Sequence, residues 1–167
     1  MKPFKEIKKW FENQENLFYL FLIILIVPNV VLCFTEPMPI VAKVCNVLLP
    51  FSIYYIVMSW SRNCGRTFWI LFPFLFFGAF QIVLLYLFGQ SIIAVDMFLN
   101  LVTTNSSEAL ELLDNLIPAI VIVVLLYIPA LAVATVSVIK KRELPELFIH
   151  RERKRARLAM IAGVLSL

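Results

Sequence analysis

Four apolar runs of membrane-crossing length dominate this chain: residues 17–34, 40–60, 67–88 and 118–139 carry one charged side chain among them, Lys43. At about 1.5 Å per helical residue, each run with its flanks covers the roughly 30 Å of hydrocarbon in a bilayer. A water-soluble domain of 167 residues has too little interior to hide four such runs. The 62% hydrophobic content and mean hydropathy of +0.91 therefore describe a protein whose solvent is lipid. The expected fold is an all-α membrane protein, a five-span helical bundle with short interfacial helices and a truncated fifth span.

A net charge of +4 would suit a nucleic-acid partner if the basic residues formed one patch. They do not. All but one of the fifteen Lys and Arg fall in three segments, residues 1–16, 61–66 and 140–157, which alternate with segments that are almost free of them. That alternation is the positive-inside pattern, so the amino terminus and the second and fourth loops belong in the cytoplasm. The segment 89–116 holds Asp96, Glu108, Glu111 and Asp114 with no Lys or Arg, which makes it the outward-facing loop.

Residues 1–16 place Phe4, Ile7 and Phe11 on one helical face with lysines and glutamates on the others, the pattern of a cytoplasmic interfacial helix anchored by Trp10. The long charged region before the first run and the lack of a small-x-small site after it argue against a cleaved signal peptide. Pro28 and Asn29 predict a kink in the first span, and Pro118 is expected to open the fourth. Pro145 is expected to start a helix whose Leu147 and Phe148 face lipid while Arg151, Arg153, Lys154, Arg155 and Arg157 meet headgroups. Residues 158–167 are apolar but too few to cross, which predicts the start of a fifth span in a longer protein. Cys33, Cys45 and Cys64 show no metal-binding spacing. Free thiols are expected, with a Cys33–Cys45 bridge across the first outer turn as the alternative. His150 is expected to be one more polar residue on an interfacial helix. No GxxxG pair marks a close helix crossing.

Within the acidic loop, Asn100, Thr104 and Glu108 are spaced four apart. On one helix such positions drift by about 40° per step, so amide, hydroxyl and carboxylate share a face. The same stretch has the form of a helix start, Asn105-Ser106-Ser107-Glu108, in which Asn105 caps and Glu108 reaches back to the cap. Leu110, Leu112 and Leu113 would then dock a short helix on the bundle or bilayer surface. Both readings stand on the sequence, and a break near Thr104 would accommodate the two together.

At these residues the chain resembles the amino-terminal membrane domain of the bacterial phosphoethanolamine transferases that modify lipid A and related glycolipids. The resemblance rests on the five expected spans with an inside start, the acidic loop between the third and fourth, and the Asn-x3-Thr-x3-Glu pattern in "NLVTTNSSEALELL". It implies a multi-pass protein of the bacterial inner membrane with residues 17–167 as its bundle. It also implies a periplasmic zinc-dependent catalytic domain beyond residue 167, whose threonine carries phosphoethanolamine from phosphatidylethanolamine to a glycolipid acceptor. Asn100, Thr104 and Glu108 match the family positions that help hold the donor headgroup. No catalytic residue and no metal ligand is expected in this chain, and no cofactor other than the zinc of that further domain.

Two other classes stay open on the sequence. Lipoteichoic acid synthases carry a similar anchor and outward-facing domain, but the Asn-x3-Thr-x3-Glu pattern favours the phosphoethanolamine family. A small transporter or channel subunit would place ionisable groups in mid-span, and the four runs have none there.

Overall fold

The computed structural model describes residue 6, residues 9–88 and residues 106–166, with backbone alone for residues 81–88, 106–116 and 119. The described elements are helical: α1 Gln14–Thr35, α2 Ile40–Met58, α3 Cys64–Ile70, α4 Phe72–Phe88, α5 Ser106–Ile139 and α6 Glu146–Leu165. Three stretches are long and apolar enough to cross a membrane, namely α1, α2 and Ile120–Ile139 of α5, so the chain is an all-α, multi-pass membrane protein.

Helix α1 is the central element, packed against α2 on one side and α4 on another. Asn13 starts it by accepting the Glu15 backbone N–H at 2.9 Å, and the chain leaves the helix at Glu36 ahead of Pro37 and Pro39. Its residues Leu17, Phe18, Phe21, Leu22, Ile24 and Leu25 are all buried. Phe21 stacks on Phe68 of α3 at 4.2 Å between ring centroids, and Phe18 meets Phe148 of α6 edge-on at 5.5 Å. Helix α6 packs along α2, and α5 packs along α3 and α4.

Polar pairs fix the register where lipid offers no hydrogen bonds. Asn46 of α2 donates to the backbone oxygen of Asn29 at 2.9 Å, and Asn29 donates back to the Asn46 side chain at 3.2 Å. The Gln14 amide oxygen accepts from Ser137 Oγ at 2.6 Å and from Cys64 Sγ at 3.4 Å, tying the ends of α1, α3 and α5. All three cysteines are free thiols: Cys33 donates to the Lys43 carbonyl at 3.5 Å and Cys45 to the Ser166 carbonyl at 2.7 Å.

Several expected elements differ in the structure. The run 67–88 is not one helix, because it is interrupted at Leu71 between α3 and α4. Pro73 has no N–H for the Trp69 carbonyl, and its ring presses on that turn. Pro118 does not begin the fourth helix. Helix α5 starts at Ser106 and runs 34 residues through both Pro118 and Pro129, so the short docked helix is instead the outer part of one long rod. Strong helix formers in "SSEALELL" carry the helix into the proline, whose lost hydrogen bond a membrane helix tolerates when neighbours compensate. At its other end Lys141 takes a left-handed conformation (φ 48°), with Arg142 N–H bonded to Ser137 O at 3.1 Å and Lys141 N–H to Val138 O at 3.0 Å.

Pro145 does stand at the start of α6, which then continues without a break to Leu165, so residues 158–165 prolong that helix. Leu147 is exposed as expected, whereas Phe148 is buried against Phe18 and Tyr19. Burial of its ring is what draws the start of α6 onto the bundle.

Close helix approach comes from single small residues rather than a GxxxG pair. A Cβ on Gly65 would lie 2.5 Å from the backbone oxygen of Ala134, and one on Gly163 would lie 2.7 Å from Ser52 Oγ. Gly65→Val is expected to lower stability by about 1–3 kcal/mol, the cost of overpacking against backbone that cannot step aside. Thermal unfolding in detergent reads this directly, and an unchanged midpoint would mean that α3 and α5 do not meet at this crossing.

Candidate functional site

The predicted site divides between described and undescribed residues. Asn100, Thr104 and the expected cap Asn105 lie outside the described residues. Glu108 lies in the first turn of α5, and its backbone is described. The apolar stretch of α5 begins at Leu116, so Glu108 stands about 12 Å along the axis beyond it. That height is past the hydrocarbon.

The opposite end of the bundle is built from the basic segments. Arg62 bonds Glu146 at 2.8 Å and approaches Glu143 at 3.3 Å, Leu144 N–H bonds the Arg62 carbonyl at 2.8 Å, and Arg142 meets Glu12 at 3.4 Å. The three segments that hold all but one of the Lys and Arg thus gather at one end, and the first turn of α5 lies a 34-residue helix away. The positive-inside rule sets the expectation that the basic end faces the cytoplasm. Single-cysteine labelling in intact cells is expected to leave position 153 unmodified by an impermeant reagent and to modify position 108. Outside labelling of position 153 would reverse the topology.

One charged group escaped the sequence reading. Glu152 of α6 is wholly buried, and its Oε1 accepts from Arg151 Nε and Arg155 Nη1, each at 2.9 Å. Its Oε2 accepts a short hydrogen bond from the Tyr55 hydroxyl of α2. With both oxygens occupied, the carboxylate is a fastener between α2 and α6 rather than a free acid or base. The available signal was its position as the one acid in the run 151–157, otherwise mostly arginine and lysine. His150 is exposed.

Between the helices lies a cavity of about 160 Å³ walled by Pro28, Asn29, Pro50, Tyr54, Gly78 and Tyr127 among others, and the buried Tyr127 hydroxyl has no hydrogen-bond partner among the described residues. Among the described residues no three His, Cys, Asp or Glu side chains come together as metal ligands. No protein-family model, curated protein or solved structure matches the chain.

Proposed function

We propose that this chain is the membrane domain of a phosphoethanolamine transferase of the bacterial inner membrane. In this reading it binds phosphatidylethanolamine at its outer end and anchors a periplasmic zinc-dependent domain that passes phosphoethanolamine to lipid A or a related glycolipid. The observation that carries it is the Asn-x3-Thr-x3-Glu pattern, Asn100, Thr104 and Glu108, within a segment that has no Lys or Arg. The start of α5 at Ser106 supports the reading, because it carries Glu108 beyond the apolar stretch of that helix, on the polar side of the bilayer edge where headgroups lie. An ammonium needs a carboxylate and neutral acceptors, and a segment without cations does not repel it.

The bundle in this reading has five crossings. Helices α3 and α4 together make the third around the Pro73 break, and α6 begins the fifth. The nucleophile and the metal belong in this reading to the further domain, and the acceptor is the separate glycolipid.

Headgroup selectivity tests the proposal. The chain in detergent is expected to retain phosphatidylethanolamine in preference to phosphatidylcholine, whose trimethylammonium has no N–H to donate. Incubated with donor lipid and lipid A, it is expected to transfer nothing above background. Equal retention of the two lipids would remove the basis for the headgroup site. Zinc-dependent transfer by the 167-residue chain would overturn the division of labour between two domains.

A further inference from the structure

A second lipid contact emerges at the basic end, remote from the α5 amino terminus. A groove of about 330 Å³ opens where α2 ends, lined by Ile56, Ser59 and Trp60 of that end and by Arg153 and Arg157 of α6. The two arginines are one helical turn apart and so share a face. Arg153 Nη2 donates at 3.4 Å to the carbonyl oxygens of Ser59 and Trp60, long bonds that leave most of its five N–H groups unspent.

The arginines at this end of the bundle divide by whether a carboxylate meets them. Arg62, Arg142, Arg151 and Arg155 each have a carboxylate within 3.4 Å. Arg153 and Arg157 have none among the described residues, and no acidic residue lines the groove. Glu152 cannot serve them, since both of its oxygens are engaged elsewhere. Two guanidinium groups without a counter-ion, beside the last turn of a spanning helix, sit where hydrocarbon gives way to headgroups.

Trp60 completes the setting. It is 77% exposed, so its indole presents an apolar face to acyl chains and an N–H to ester oxygens, the behaviour of tryptophan at a membrane interface. Guanidinium forks match phosphate oxygens two at a time. The missing carboxylate decides the headgroup class, because a zwitterionic lipid would bring an ammonium toward two arginines with nothing to receive it.

We propose that this groove binds the phosphate of one anionic phospholipid, in the leaflet at the basic end, with Arg153 and Arg157 as its ligands and Trp60 beside the glycerol esters. The site is separate from the headgroup site at Glu108 and stands whether or not that one does.

Native mass spectrometry of the chain in detergent, titrated with phosphatidylglycerol or phosphatidylethanolamine, tests it. One phosphatidylglycerol per chain is expected to persist at about tenfold lower lipid concentration than phosphatidylethanolamine at this site, the scale of one charge-assisted hydrogen bond. Arg153→Gln/Arg157→Gln should abolish that preference, while Lys140→Gln/Lys141→Gln, the same change of charge outside the groove, should keep it. Arg157→Gln alone makes the outcome independent of folding, because this exposed side chain has no hydrogen bond or ion pair among the described residues. It should weaken the preference with an unchanged unfolding midpoint. Equal retention of the two lipids by the unaltered chain would overturn the proposal, as would equal loss in the lysine control. Displacement of the lipid by millimolar inorganic phosphate would also overturn it, showing a site for a soluble anion.

Discussion

Removing Arg151 and Arg155 together is expected to destabilise the bundle more than removing the carboxylate they hold. Glu152 is 0% exposed, whereas the two arginine side chains are 54% and 56% exposed. If Glu152 becomes glutamine, both guanidiniums swing into water and keep their hydration, and the Tyr55 hydroxyl still finds an acceptor in the amide oxygen. Arg151→Ala/Arg155→Ala instead leaves the Glu152 carboxylate enclosed between α2 and α6 with only neutral tyrosine hydroxyls, Tyr55 and Tyr19, to face it. A buried charge stripped of its counter-ions costs about 3–5 kcal/mol, unless it takes up a proton. The arginine variant should therefore unfold at markedly lower temperature at neutral pH and recover part of the loss as pH falls and the carboxylate protonates. Adding Glu152→Gln to it should restore most of the stability, which an additive pair of defects would not do. If Glu152→Gln alone proves as damaging as loss of both arginines, the carboxylate is not the buried member of the network.

The same residues show where the sequence was legible. Apolar runs and the segregation of Lys and Arg depend on local composition, so three of the expected spans and the common end of the three basic segments could be read directly. Arg62 meeting Glu143 and Glu146 is the three-dimensional form of that one-dimensional pattern. Glu152 and Phe148 could not be read in the same way. Their burial depends on Tyr55, Phe18 and Tyr19, residues roughly 90 to 130 positions away, and neither stands out in a 3.6-residue pattern.

Prolines misled in both directions for a physical reason. Pro73 interrupts its helix and Pro118 does not, although both lack the same donor. What decides is how neighbouring helices and residues supply the freed carbonyl, which is a tertiary matter. The close crossing at Gly65 was hidden too, because its partner is a backbone oxygen of Ala134 and carries no side-chain signal. Of the proposed headgroup site, the spacing and the absence of cations were legible, whereas Asn100 and Thr104 lie outside the described residues.

Glu108→Gln is expected to weaken retention of phosphatidylethanolamine by roughly tenfold to a hundredfold, the equivalent of about 1.5–3 kcal/mol for a hydrogen bond to a charged group. Glu108 lies in the first turn of α5, where a carboxylate also complements the helix dipole and is able to reach back to the cap. Glutamine serves at that cap position nearly as well, so the substitution removes the charge that attracts an ammonium while sparing the helix start. The unfolding midpoint should therefore hardly move. Asn100→Ala and Thr104→Ala should each weaken retention less, about 0.5–1.5 kcal/mol, because each removes a neutral partner. Phosphatidylglycerol retention at the Arg153 and Arg157 groove should be indifferent to all three changes, which separates the two ends of the molecule in one titration series. A different result follows if the carboxylate only caps α5. Glu108→Gln would then leave retention intact and Glu108→Ala would lower the unfolding midpoint alone, and the headgroup assignment would fall with it.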